Sequence, residues 1–518
     1  MIIGADVLNK FKNPIIEGFS PDPSVCAVGE DFYLVTSSFG YFPGVPIYHS
    51  KDMVNWQQIG NVLDRESQLN LDDAGSSRGI FAPTIRYHDG IFYMITTNVT
   101  YGGNFVVTAT DPAGPWSEPY YLEGAIGIDP SLFFDEDGRC YYCGTRPNPT
   151  GVTHNGDWEV WLQELDLNTM QLTGVSTKIW KGAMRNVIWP EAPHIYRKDD
   201  YYYVMIAEGG TGPNHSVTIA RSEKIDGPYI GFANNPILTH RHLGSAFPVQ
   251  NVGHGDLVET PDGQWFMVLL ASRKFEGSSN LGRETFLAEV IWEDGWPVVN
   301  PGIGRLLEEQ EIKLPLVPVE EKTDYHLNDI HREFLFIRNP DMSHYDTDAR
   351  EGWIRMTPTA GRFKDEKGSP TYIGLRQPSL WFEYTAALDI QLTDGGEAGI
   401  AVIQGENHTL KLAVHAKDSE KVVQVITTID GEEKVHGETT VTASELELKF
   451  IGEGQKVKGV VLADGKEIVV AENVATHYLS TELAGGFVGC TVGIYTSSDV
   501  EAPGYVDANW IKLEKTNQ

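Results

Sequence analysis

Apolar and polar residues alternate through most of the chain, and no convincing stretch has the longer period of a helix. Alternation places successive side chains on opposite faces of a strand. One such run, within residues 198–207, follows the acidic turn Asp199-Asp200 and reads Tyr201-Tyr-Tyr-Val-Met-Ile-Ala207. Four similar runs occupy residues 29–37, 88–96, 135–143 and 260–268. Each is an Asp- or Gly-bearing turn feeding an aromatic, β-branched strand, the signature of a hairpin. Their anchor aromatics, Tyr33, Tyr93, Tyr142, Tyr203 and Phe266, recur every 50 to 60 residues or so, about the length of a four-stranded propeller blade with its loops.

A first strand precedes each turn, and a short motif opens it. The five openings are Pro21-Asp-Pro-Ser24, Phe81-Ala-Pro-Thr84, Ile128-Asp-Pro-Ser131, Pro190-Glu-Ala-Pro193 and Gly253-His-Gly-Asp256. In a propeller the first strands line the central channel, so their starts converge at one mouth. This predicts a ring of Asp22, Phe81, Asp129, Glu191 and His254, with Glu191 one position earlier than Asp22 and Asp129. Three carboxylates in one ring repel, and such crowding is costly unless it is used. Glu191 lies between Trp189, Pro190 and Pro193. Partial desolvation there raises its pKa and suits a general acid.

The pattern changes after residue 300. Residues 306–318 carry charge and Pro stops and predict an extended linker. Beyond it, period-2 runs such as residues 384–390, 399–403, 409–414 and 422–427 lack the blade motif. Asp430-Gly431 and Asp464-Gly465 mark hairpin turns. The prediction is all-β: a five-bladed β-propeller over 1–312, a linker over 313–330 and a β-sandwich over 331–518.

Composition narrows the partners. Acidic residues number 72 against 40 basic ones, a formal charge of −32. That balance disfavours nucleic acid and anionic membranes and favours neutral or cationic ligands. The start, Met1-Ile-Ile-Gly-Ala-Asp6, has neither the basic region nor the apolar core of a signal peptide, and no transmembrane segment is read. Of the four cysteines, Cys140 and Cys143 form a Cys-x-x-Cys inside a predicted strand. Buried free thiols and a cytoplasmic location follow.

The residues quoted so far, with Gly18-Phe-Ser-Pro-Asp-Pro-Ser24, Gly79-Ile-Phe-Ala-Pro-Thr-Ile85, Pro190-Glu-Ala-Pro-His-Ile-Tyr196, Gly253-His-Gly-Asp-Leu257 and Leu281-Gly-Arg-Glu-Thr-Phe286, resemble glycoside hydrolase family 43. These are the β-xylosidases and α-L-arabinofuranosidases, and the trailing sandwich resembles that of the longer xylosidase-type members. The resemblance implies Asp22 as general base, Glu191 as general acid and Asp129 as the carboxylate that orients the acid and tunes its pKa. It implies an inverting reaction, with base and acid roughly 6.5 to 9.5 Å apart to admit water. It implies that Arg283 contacts sugar hydroxyls, the alternative being an ion pair with Glu284 or a ring carboxylate. It gives Phe39 and Phe81 as pocket walls, Phe81 standing where many relatives carry Trp. In some relatives the residue matching His254 helps hold a calcium ion near the axis through water; the alternative is a hydrogen-bonded core histidine. A sandwich loop covers the site in xylosidase-type relatives, and by position that is 497–505, with Tyr505 reaching in.

The expected activity is release of terminal α-L-arabinofuranosyl or β-D-xylosyl residues from arabinoxylan- or xylan-derived oligosaccharides, in a chain that is monomeric or a homo-oligomer. The Trp189-Pro-Glu-Ala-Pro and Ser37-Ser-Phe-Gly-Tyr-Phe stretches resemble arabinofuranosidase-leaning members. A strict β-1,4-xylosidase and a sugar-binding propeller without catalysis are the alternatives. A fructosidase-type propeller is disfavoured, because neither Asn-Asp-Pro nor Arg-Asp-Pro occurs.

Overall fold

A computed structural model describes residues 8–184, 187–417, 420–501 and 503–517. The reading of Met1–Asp6 as lacking a signal peptide falls outside those residues. Five sheets of four or five antiparallel strands follow one another along the chain, as a five-bladed propeller requires. Their first strands are Ser24–Val28, Thr84–His88, Ile128–Phe134, Glu191–Lys198 and Val249–Glu259. The predicted anchor aromatics all lie on second strands, paired to those first strands. The expected Asp-Gly hairpin geometry appears at Asp89-Gly90 and Asp464-Gly465, where both residues adopt left-handed backbone.

Blades meet around the axis through hydrogen bonds from residues near the start of each first strand. Ser24 Oγ donates to Asp256 Oδ2 at 2.7 Å and accepts from Ile85 N–H at 3.1 Å. Thr84 Oγ1 donates to Pro130 O, and Ser131 Oγ donates to Pro193 O. Tyr196 completes the circuit by donating to Asp256 Oδ1 at 2.7 Å. These contacts link each blade to the next, from first through fifth and back. The fully buried Asp256 also carries a bidentate pair with Arg86, at 2.8 and 3.0 Å. Burial opposes ionisation of Asp256, but Arg86 and His194 outweigh it and hold its carboxyl well below the usual range.

The ring is closed by the N-terminal segment. Asn9–Lys12 pairs with Glu309–Ile312, and the Asn13 side chain bonds both the N–H and the C=O of Leu287 on the fifth blade. The following segment is tied to the propeller too, since Asp52 accepts from Val317 N–H.

The second unit is a sandwich of an eight-stranded and a six-stranded sheet enclosing one apolar core. It begins earlier than the expected residue 331: Asp324–His326 already pairs with the last strand, Gly504–Lys515. It also pairs with the propeller, Phe336–Ile337 against Tyr41–Phe42. Among the described residues the one α-helix is the single turn Thr481–Ala484, and no helix is long and apolar enough to cross a membrane. The four cysteines are buried free thiols. Cys140 and Cys143 sit on opposite faces of one strand, in different apolar clusters, so they cannot pair.

Asp256→Ala leaves Arg86 as an unpaired, part-buried charge and should cost about 3–5 kcal/mol. A drop in the urea midpoint at neutral pH checks this, and an unchanged midpoint would contradict the axial role. The native advantage should shrink as pH falls below the ordinary carboxylate range, where the unfolded chain takes up the proton and the folded Asp256 does not.

Candidate active site

Asp22, Asp129 and His254 all carry left-handed backbone, with φ of 56°, 52° and 52°. The fourth-blade residue that shares this conformation is Ala192, with φ of 48°, and Glu191 precedes it. Strand starts give the same register in the second blade, where Ala82 corresponds to Asp22 and Phe81 stands one earlier. The expected ring is thus two sets: Asp22, Asp129 and His254 at one level, Phe81 and Glu191 one residue upstream.

Asp22 is buried and fully engaged. Ser37 Oγ donates to its Oδ2 at 2.5 Å, Arg283 Nη1 donates to its Oδ1 at 2.9 Å, and His254 Nδ1 lies 3.5 Å from Oδ1. Burial works against its ionisation, yet Arg283, His254 and Ser37 together lower its pKa below the ordinary carboxylate value. Asp22 is therefore a carboxylate at neutral pH.

Asp129 accepts the Ala192 N–H at 3.1 Å, so it grips the backbone next to Glu191. Burial, with Asp22 adding to it, pushes its pKa up to about 6. Glu191 is half-buried, and no protein hydrogen bond to its carboxyl is found among the described residues. Burial first, then the charges of Asp129 and Asp22, raise its pKa well above the usual value, Arg283 opposing. One cation thus serves three carboxyls, and the proton stays on Glu191.

Arg283 also donates to Thr211 Oγ1 at 3.1 Å and to the Phe487 carbonyl at 3.1 Å. Its guanidinium lies 5.6 Å from the ring centroids of both Phe39 and Phe487. Of the two alternatives at this position, the ion pair with a ring carboxylate is present, whereas Glu284 pairs with Arg273. The buried Arg283 Nε has no partner among the described residues.

Phe39 is only 2% exposed and supports the wall from behind. Phe81 packs on it at 5.2 Å, and Phe487 stacks on it at 5.9 Å. Phe487 comes from the sandwich, and its N–H donates to Ser77 Oγ. The covering segment expected at 497–505 is therefore misplaced: residues 485–489 supply the contact. Tyr505 instead lies in the last strand with Arg355 stacked 3.7 Å over its ring, because strand pairing opposite Gln391 turns it into the sandwich surface.

His215 was not foreseen. Burial lowers its pKa to about 4, so its ring is neutral beside His254, Arg283 and Asp22. The ring lies so close to Gly253 that a Cβ there would sit 2.4 Å from it. The two glycines flanking His254 were the only trace of that approach.

Residues 11–297 match the model for glycosyl hydrolases family 43, and residues 322–514 match that of the beta xylosidase C-terminal concanavalin A-like domain. The chain belongs to family 43. A xylosidase/arabinosidase of Butyrivibrio fibrisolvens is 48% identical to it over 97% of this chain and 99% of its own. A non-reducing end alpha-L-arabinofuranosidase of Bacteroides ovatus is 37% identical, covering 95% and 92%. Among solved structures, a xylan beta-1,4-xylosidase from Bacillus halodurans superposes with a TM-score of 0.91 at 32% identity, covering 98% of this chain and all (100%) of that one.

The calcium that the resemblance attaches to His254 was tested against the donor set. Among the described residues no three His, Cys, Asp or Glu side chains converge to hold an ion. His254 Nδ1 faces Asp22, whose same oxygen is taken by Arg283. These residues do not fit a directly bound metal.

Asp129→Asn removes a charge that keeps the proton on Glu191. The alkaline limb of the kcat/KM profile should move to lower pH while the acid limb stays in place. A profile with both limbs unmoved would contradict the coupling. Phe487→Ala should raise KM for a short substrate by roughly ten-fold, the worth of a buried aromatic contact, with a smaller change in kcat; unchanged kinetics would remove Phe487 from the pocket.

Proposed function

We propose that this family 43 glycosidase is exo-acting and inverting and releases terminal α-L-arabinofuranosyl or β-D-xylosyl residues from xylan-derived oligosaccharides. The observation that carries it is the contrast between two carboxyls on one mouth: Arg283 donates to Asp22 at 2.9 Å and favours its ionised form, while burial and the neighbouring Asp129 favour the protonated form of Glu191. Asp22 takes a proton from a water as that water attacks the anomeric carbon. The glycosidic C–O bond breaks as Glu191 gives its proton to the leaving oxygen. Asp22 ends protonated and Glu191 ionised, and exchange with solvent restores both. Asp129 holds the Ala192 amide and so fixes the direction of Glu191.

The exo character is supported by Phe487, which stacks on Phe39, meets Phe81 edge to face and gives the sugar pocket an end wall. The substrate class is supported by relatives named for xylosidase and arabinosidase activities. Four buried thiols without a disulfide support action inside the cell on imported oligosaccharides.

Glu191→Ala should lose about 10²- to 10⁴-fold on natural glycosides but far less on nitrophenyl glycosides, whose leaving groups need little protonation. Asp22→Ala should lose both alike. Equal losses in the two variants would overturn the acid and base roles. Following the first-formed product by NMR on arabinosylated and plain xylo-oligosaccharides reads the sugar preference and the anomeric outcome together; a retained anomer would exclude direct displacement by water.

A further inference from the structure

The six-stranded sheet of the sandwich bears a cavity of about 310 Å³ that shares no lining residue with the active site. Six charged side chains line it: Arg362, Lys364 and Lys411 against Glu397, Glu406 and Glu433. Three cations and three carboxylates make its lining neutral, within a chain of formal charge −32. A pocket so balanced offers a charged ligand no net attraction, but it offers many donors and acceptors to a neutral polyhydroxyl one.

The floor is built rather than incidental. Lys411 is 8% exposed, and its ammonium sits 3.2 Å from Glu397 Oε1 and 2.9 Å from Glu433 Oε1. An ammonium has three N–H donors, and the third has no acceptor among the described residues. Tyr495 donates to Glu397 Oε1 at 2.7 Å, and Thr409 and Thr428 share a hydrogen bond of 2.9 Å beside them. Burial opposes ionisation of Glu397, but Lys411, Tyr495 and His415 keep its pKa below the ordinary value, so it remains an acceptor at neutral pH. Phe363, half-buried and packed on Tyr495 with centroids 5.0 Å apart, adds an apolar wall for the C–H face of a sugar ring.

We propose that this cavity is a second, non-catalytic site for a neutral oligosaccharide, with Lys411 and Glu433 as its main hydrogen-bonding pair. The choice of a pentose oligomer as probe rests on the proposed function. The site also touches the catalytic unit: Glu406, on its rim, accepts from the Oγ of Ser76 at 2.8 Å, next to the Ser77 that holds Phe487.

The test is calorimetric titration of the full chain carrying Asp22→Asn, which silences hydrolysis, with xylotetraose. Two sites are expected. Adding Lys411→Gln or Glu433→Ala should weaken one of them at least ten-fold and leave the other. The Glu433 side chain is 55% exposed, so its removal tests the site without endangering the fold. Glu433→Ala alone should leave turnover of a nitrophenyl pentoside unchanged. Any number of sites, all indifferent to both substitutions, overturns the proposal even if the enzyme cleaves pentosides. A site dependent on Lys411 in a chain that cleaves no pentoside would overturn the functional reading and keep the second site.

Discussion

Three carboxyl groups share one guanidinium. Arg283 sits on Asp22, and among the described residues no second arginine or lysine pairs with Asp129 or Glu191. Electrostatics then divides the three without further help. The carboxyl against the arginine ionises, the one farthest from compensation keeps its proton, and the third stands between them with a pKa near 6. The propeller delivers them from three separate blades to one mouth. It can do so because the axial circuit through Ser24, Thr84, Ser131, Tyr196 and Asp256 fixes the blades against one another.

Much of this was legible in the residues. The hairpin repeat gave blade number because each blade must rebuild the same two-strand pairing, and an Asp-Gly turn with an aromatic strand leaves a clear local trace. The carboxylates stood out because Asp-Pro-Ser recurs at strand starts. The register was harder. The offset of Glu191 from Asp22 and Asp129 was visible in the motifs, but that of Phe81 was not, and only the left-handed backbone at Ala192 shows which fourth-blade residue takes the Asp22 position. Asp256 looked like the tail of a motif, yet it is the carboxylate on which the axis closes, because its partners Arg86 and Tyr196 come from other blades.

The sandwich was legible as a domain but not as part of the site. Alternation identifies strands, and it says nothing about which turn of a distant unit reaches across. Phe487 stands in a segment of glycines with no repeat and no charge, and the docking of the sandwich on the propeller, through Phe336–Ile337 on Tyr41–Phe42 and through the Cys490 N–H to Asn280 O bond, brings it to Arg283. His215 is a similar case, since its approach to Gly253 depends on packing between two blades.

The Asn13 latch binds backbone groups 274 positions farther along the chain. During synthesis the first blades emerge long before their closing partner exists. The circle therefore waits on the ribosome as an open arc, its first and last edges unmatched, until the fifth blade appears. The site therefore forms late, because Asp22 on blade one has no arginine before residue 283 is made.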